Sequence, residues 1–420
     1  MIGRGSGRAL DDVRIEQDRL WQSLMAMAKI GATPNGGVAR LALTDLDRQA
    51  RDLFVSWCRE AGCELRIDRM GNIFARRAGL NSDLPPVMTG SHLDTQPLGG
   101  KFDGIYGVLA GLEVVRTLNA ARIDTLAPID VAVWTDEEGV RFGPGTIGSG
   151  TFVGRTSPDV GLGRADSGGV TMGQALAAIG YAGEAPVGGY PIEAFFEAHI
   201  EQGPILERDG VPIGVVLGAQ GQRCFRIVVD GEEGHAGTLP MELRRDALLG
   251  AARMIDALNG VAFRHEPHPV ITVGQIQVRP NSRNTIPGQA AFTVDSRHPD
   301  DGTLAAVDRD VRAACEEVAR RSNVAVSIEH VSSRRSVAFD PECAAAVARA
   351  ADKLDLPWQE IYSGAGHDAC NLALAAPAGM IFVPCAGGVS HNERESARPE
   401  DLAAGCDVLL HVMAERAGVA

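Results

Sequence analysis

An apolar run over residues 129–135, IDVAVWT, ends in three consecutive acids, Asp136-Glu137-Glu138. The run reads as a buried strand. Three adjacent carboxylates at its end repel one another and need either a nearby cation or an exposed turn. The surrounding pattern narrows the folds that meet this demand. Residues 45–61 read as a helix capped by Thr44, with acids in its first turn. Strands follow at residues 64–67 and 73–76, an extended stretch at 86–89 leads into Gly90-Ser91-His92, and residues 105–118 read as helix. Strands alternating with helices imply a parallel α/β sheet, whose ligands sit beyond the carboxyl ends of its strands. The acidic triplet therefore lies where chemistry is expected.

Residues 218–331 have a different rhythm. Strand 225–230, helix 240–258, strands 270–278 and 290–295, helix 304–321 and strand 324–329 give the order β-α-β-β-α-β, the ferredoxin-like pattern, which closes on itself as one unit. The α/β character then resumes with helix 341–353, strand 379–383 and a final helix near 399–416. The fold class is thus α/β, with one domain built from residues 1–217 and 332–420 and interrupted by a smaller one. A chain of 420 residues fits that division, since single cores rarely grow so large.

Composition excludes several functions. The net charge of −14, the lack of a basic run and an aromatic content of 5% disfavour nucleic-acid binding. The stretch 372–389 is apolar but broken by Pro377, Pro384 and glycines, so it reads as a loop and a buried strand rather than a membrane span. The opening MIGRGSGRALDDV shows no apolar signal-peptide core. Eight cysteines without a C-x-x-C pair read as buried thiols in a reducing compartment, so a cytoplasmic location is expected.

Several polar residues fall in unusual settings. His92 and Asp94 share one side of an extended segment, so Asp94 can hold the His92 imidazole as it would for a metal-bound histidine; a polar turn is the alternative. Asp103, in GGKFDG, precedes a helix as a cap would, yet its glycines let the backbone approach something compact. In the acidic triplet one carboxylate can bind a metal while its neighbour stays free as a base. His199, in AHIEQG, and His391, in GGVSHN, lie near element ends without a cysteine, which suits Zn, Mn, Co or Ni better than a thiolate zinc site. In the middle segment His235, Asn284 and Arg297 stand out. A guanidinium suits bidentate capture of a carboxylate, while the plainer alternative for Arg297 is a surface pair with Asp295 or Asp300. His265, His268, His298, His330 and His411 join no constellation.

Taken in order, GSHLDTQPLGGKFDGIYGVLAGLE, TDEEGVRF, EAHIEQGPILE, GHAGTLPMELRRDAL, NTIPG, DSRHP, SGAGHDA and SHNERE resemble the hydantoinase/carbamoylase amidohydrolases, from about Ile30 to near the C-terminus. That group includes N-carbamoyl-L-amino-acid hydrolases, β-ureidopropionases and allantoate amidohydrolases, within the wider aminoacylase and carboxypeptidase clan. The resemblance implies a di-metal catalytic α/β domain and an inserted dimerisation domain. It assigns His92 and His199 to one divalent metal, Glu138 and His391 to the other, Asp103 as the bridge and Glu137 as general base. It places Gln202, His235, Asn284 and Arg297 around the substrate, with some of them reaching a partner subunit, and His367 near the site.

The implied reaction is hydrolysis of the ureido C–N bond of a small N-carbamoyl-L-amino acid, by a homodimer that binds neither nucleic acid nor membrane. Allantoate and N-carbamoyl-β-alanine are the alternative substrates. A metallopeptidase or N-acyl amino acid deacylase is disfavoured by His199, where peptidase relatives carry an acid. A catalytically inactive binding protein is disfavoured because no ligand or base is missing.

Overall fold

The computed structural model describes residues 10–419, so most of the opening segment read as lacking a signal-peptide core lies outside the described residues. The chain forms two compact units. One takes the chain up to Gly218 and again from Ala338 onward; the other is Ala219–Val337.

The first unit is built on a nine-stranded sheet. At its centre four parallel strands lie in the order Ile129–Trp134, Val87–His92, Ala194–Ile200 and Ala378–Val383. Every residue in these four strands is buried, as expected when helices cover both faces of a parallel sheet. Helix Ile105–Ala121, apolar nearly all round, packs on strand Val87–His92, and helix Pro399–Ala417 packs against both. The flanking strands are antiparallel: Ile73–Arg77 runs against Ile129–Trp134, and Ile213–Ala219 against Ala378–Val383. The sheet is therefore mixed rather than purely parallel, because strands 64–67 and 73–77 are joined by a short turn instead of a crossover helix. Leu217 accepts a hydrogen bond from the Phe339 N–H at 2.9 Å, so the two crossing points between the units are neighbours on one sheet edge.

Local signals place most elements. Helix Asp45–Glu60 begins at Thr44, whose hydroxyl accepts from the Asp47 N–H at 3.3 Å. On this helix Arg51 is fully buried. It reaches Asp47 at 2.9 Å, the Gly71 carbonyl at 2.6 Å and the Thr135 hydroxyl at 3.3 Å, so it braces the strand end that carries the acidic triplet.

The second unit is an antiparallel sheet in the order Ile276–Arg279, Gln289–His298, Gly221–Asp230, Ala325–Arg334, with helices Ala247–Ala262 and Asp301–Arg321. Three details differ from expectation. The stretch 270–278 is two strands, Val270–Thr272 and Ile276–Arg279, which pair with opposite ends of Gln289–His298. The helix expected from Pro240 starts only after Asp246, whose carboxylate caps the Leu249 N–H at 3.0 Å; a 3-10 turn at Met241–Leu243 precedes it. The unit extends to Val337 rather than 331, because strand Ala325–Arg334 continues through a bulge between His330 and Ser332. All eight cysteines are free thiols; Cys224 and Cys370 are half-buried rather than buried. Among the described residues no helix is long and apolar enough to cross a membrane.

Removing Arg51 leaves the Asp47 carboxylate buried without its partner. Arg51→Ala should cost about 3–5 kcal/mol, read as a lower urea midpoint for unfolding. An unchanged midpoint would show that the pair is dispensable.

Candidate metal centre

The carboxyl ends of the four central parallel strands converge. Strand Val87–His92 ends in His92, strand Ile129–Trp134 leads into Asp136-Glu137-Glu138, His199 is the next-to-last residue of Ala194–Ile200, and the loop after Ala378–Val383 brings in His391. Asp103 arrives from the glycine-rich loop before helix Ile105–Ala121. It is not the helix cap, a place held by Gly104, and its side chain turns instead to the histidines.

Asp103 Oδ1 lies 3.2 Å from His199 Nε2 and 3.7 Å from His92 Nε2, while Oδ2 lies 3.3 Å from His391 Nε2. His391 Nε2 is in turn 3.6 Å from Glu138 Oε2. Two donors bound tetrahedrally to one cation at about 2.0–2.2 Å stand about 3.3–3.6 Å apart. The distances from Asp103 to His199 and His92, 3.2 and 3.7 Å, and from His391 to Asp103 and Glu138, 3.3 and 3.6 Å, lie close to that spacing, and the two sets His92-Asp103-His199 and Asp103-Glu138-His391 share one carboxylate. The imidazoles are oriented for the task. His92 Nδ1 meets the Asp94 carbonyl at 2.8 Å and His199 Nδ1 the Ile200 carbonyl at 2.8 Å, which makes each Nδ1 the donor and leaves the Nε2 lone pair toward Asp103.

Asp94 therefore holds His92 by its main chain, not by its carboxylate, which stands 4.0 Å away. That carboxylate instead accepts the N–H groups of Glu137 at 3.4 Å and Glu138 at 3.2 Å, and so fixes the acidic turn. The three acids then point apart. Asp136 turns inward with a φ of 55° and neither oxygen hydrogen-bonded among the described residues; burial pushes its carboxyl up to about 8. Glu137 comes to 3.5 Å from His92 Nε2. Glu138 accepts from Gln96 Nε2 at 2.6 Å through Oε2, the same oxygen that faces His391, and its Oε1 is buried without a partner among the described residues.

Burial, reinforced by Asp368, Glu138 and Asp94, raises Glu137 well above the usual carboxylate range, although His92 opposes it. Burial would raise Asp103 too, but the surrounding imidazoles of His199, His391 and His92 hold it well below. This density of buried carboxylates around imidazoles, with an orphaned Glu138 oxygen, is what a pair of divalent cations would relieve. The donor set fits such ions.

The remaining predicted residues fall in three places. Gln202 is at the centre, its Nε2 donating to Asp103 Oδ2 at 2.8 Å. His367 is buried beside it, with Nε2 2.8 Å from the Ser363 hydroxyl and its ring edge-on to His199 at 4.6 Å. Glu197, His199 and His367 form a third close group. His199 has one lone pair, already aimed at Asp103, so this group is not a separate cation site. The other predicted residues lie on the second unit. His235 pairs with Thr285, and the Ala236 N–H donates to the Asn284 carbonyl at 3.0 Å, so His235 and Asn284 come together. Arg297 does not join them. It lies within strand Gln289–His298, opposite Gln222, and its guanidinium forks onto Asp295 at 2.9 and 3.3 Å. Sequence reasoning missed Gln96, Glu197, Ser390 and Glu395 at the centre; all four stand inside the motifs HLDTQPLGG, EAHIEQGPILE and SHNERE, which were the available signal.

Two groups of candidate metal ligands thus meet at one shared carboxylate. The profile of Peptidase family M20/M25/M40 matches residues 88–415. An N-carbamoyl-L-amino-acid amidohydrolase of Rhizobium meliloti is 46% identical over 97% of this chain and 98% of its own. A crystal structure of an amidase of the hydantoinase/carbamoylase family from Burkholderia multivorans is 55% identical, covers 96% of this chain and 98% of its own, and superposes with a TM-score of 0.94. The allantoate amidohydrolase of Escherichia coli is 34% identical over 92% of this chain and 95% of its own. The chain belongs to peptidase family M20/M25/M40 and, within it, to the hydantoinase/carbamoylase amidohydrolases.

Gly104 tests the geometry. Its φ is +73°, and a Cβ there would fall 2.3 Å from the His92 ring. Gly104→Ala should push His92 off Asp103 and weaken divalent-ion binding at least about tenfold, measured by competition with a chelator. Unchanged affinity would mean that His92 is not a ligand.

Proposed function

We propose that the protein hydrolyses the ureido C–N bond of an N-carbamoyl-L-amino acid, giving the free amino acid, carbon dioxide and ammonia. The observation that carries this reading is the Asp103 carboxylate, with one oxygen facing His92 and His199 and the other facing His391 beside Glu138. His92, Asp103 and His199 would hold one divalent ion, and Asp103, Glu138 and His391 a second; zinc, manganese, cobalt and nickel all suit these donors. The ions would supply Lewis acidity at the ureido carbonyl and acidify a water.

The protein's own groups do the rest. Glu137 takes a proton from the attacking water and returns it to the departing α-nitrogen. The carbamic acid released falls apart to carbon dioxide and ammonia. His235 and Asn284 donate hydrogen bonds to the carbonyl oxygen as it gains charge. Arg297 forks onto the substrate carboxylate, held flat by Asp295. Gln202 and His367 line the substrate. Eight free thiols fit a reducing, cytoplasmic setting.

A homodimer formed through the inserted ferredoxin-like unit supplies what one chain does not. His235 and Asn284 leave the sheet at the Asp230–Gln289 end. Arg297 stands eight residues along the same strand from Gln289, about 27 Å at about 3.4 Å per residue. A small ureido acid does not span that length, so the oxygen-binding pair and the carboxylate clamp at one site come from different subunits. Light scattering should give twice the chain mass, and two variants impaired on the acid substrate, His235→Ala and Arg297→Ala, should partly complement when mixed under exchanging conditions. A monomer with full activity contradicts this.

Allantoate is the second substrate reading, favoured by the E. coli relative. Protein loaded with Zn, Mn, Co or Ni and desalted should keep two ions per chain and prefer N-carbamoyl-L-amino acids to allantoate, N-carbamoyl-β-alanine and dipeptides. A preference for allantoate transfers the assignment, and activity on dipeptides alone removes it. Glu137→Gln should keep the ions yet lose on the order of 10²- to 10⁴-fold in kcat, and Arg297→Ala should abolish the preference for a substrate acid over its carboxamide.

A further inference from the structure

We infer that Glu395 is a positioning residue: it ties the loop carrying Asp103 to the loop carrying His391, and so sets the spacing between the two ligand groups. This rests on the two-ion reading above and deepens it. The Glu395 side chain is buried. Its Oε1 accepts the N–H of Phe102 at 2.8 Å and of Asp103 at 3.2 Å. Its Oε2 accepts from the Ser390 hydroxyl at 3.0 Å, and that hydroxyl is also 3.1 Å from Asp103 Oδ2. One carboxylate thus grips the main chain at Asp103 and the residue next to His391. Both of its oxygens are occupied by these donors, and it belongs to neither ligand group, so it acts through other residues.

The two groups need this tie unequally. His92 and His199 are fixed by buried parallel strands. His391 sits in an irregular loop, with a φ of 53° and a side chain 51% exposed. Among the described residues no sheet hydrogen bond fixes His391, so the tie from Glu395 does more for its group.

Gly100 gives an independent observation. A Cβ built there would meet the Glu395 carboxylate carbon and Oε1 at 2.0 Å and Oε2 at 2.4 Å, and those are its three nearest atoms. Gly100 does not occupy the left-handed region. The compact object that the GGKFDG glycines accommodate at this point is the Glu395 carboxylate. An alanine at 100 is therefore barred by that side chain, not by its own backbone.

The experiment is a metal titration of apo-protein with Mn²⁺ or Zn²⁺ against a chelating indicator, with thermal unfolding recorded in parallel. Wild type should bind two ions. Glu395→Ala should bind the first with little change and the second about 10–100-fold more weakly. Glu395→Gln keeps an oxygen for both N–H groups and an amide for the Ser390 oxygen, so it should restore most of the second-ion affinity. Gly100→Ala should reproduce the Glu395→Ala defect, and the double variant should be no worse than Glu395→Ala alone, since the clash is gone. A general folding role would weaken both ions together and would not give that non-additivity. If wild type binds two ions and Glu395→Ala binds both with unchanged affinity, or if the Gly100 and Glu395 defects simply add, the inference is wrong. If wild type binds fewer than two ions, the two-ion reading fails and this inference falls with it.

Discussion

Asp103 is gripped from four directions. Its N–H is held by Glu395, Oδ1 faces the His199 and His92 nitrogens, and Oδ2 faces His391 while accepting from Gln202, with the Ser390 hydroxyl 3.1 Å away. A short carboxylate has little reach, so every partner must come to it. That demand explains the chain's layout around it: four buried parallel strands end at the same level, and two loops are drawn in over them. The helix after Asp103 begins at a glycine with positive φ, which frees the carboxylate from the capping role its position suggests.

The second constraint is charge. Asp94, Asp136, Glu137, Glu138, Glu197 and Asp368 are all raised above their usual range by burial, and each lies near others of the same sign. Such a cluster destabilises the ion-free fold, and bound cations would compensate it. The main chain contributes too. The N–H groups of Glu137 and Glu138 are given to Asp94, and that of Ala369 to Glu197, so several of these acids are fixed by backbone donors as well as by side chains. Arg51 works one layer further out, where it holds the strand end at Thr135 in place.

Much of this was legible in the residues. The capped helix at 45–60, the buried strand before the triplet, and the alternation that places ligands at strand ends all follow from local chemistry, and the structure brings His92, Asp103, Glu138, His199 and His391 together. What was not legible depends on the third dimension. The pattern at His92-Leu93-Asp94 suggests a carboxylate on an imidazole, but the chain turns after His92 and offers a carbonyl instead. The stretch 270–278 reads as one strand by its alternation, but it breaks at Gly274, and its two halves pair with opposite ends of one long partner strand. Arg297, His235 and Asn284 form one polar set in the sequence, yet strand length separates Arg297 from the other two. Glu395 lies almost three hundred residues from the loop it holds, and only the space left by Gly100 records the contact.

The neighbouring crossing points at Leu217 and Phe339 carry a consequence for mutation. The chain leaves and re-enters the first unit at one spot on a sheet edge, and the pair is closed by a main-chain hydrogen bond. The segment between them is thus inserted at one edge of the sheet, away in sequence from the strands that end at His92 and Trp134 and the one that carries His199. The residues proposed to grasp the substrate's acid group and carbonyl oxygen belong to that inserted segment, whereas the proposed bond-breaking groups do not. A substitution within residues 219–337 therefore leaves untouched the stretches of chain that carry His92, Glu137 and His199.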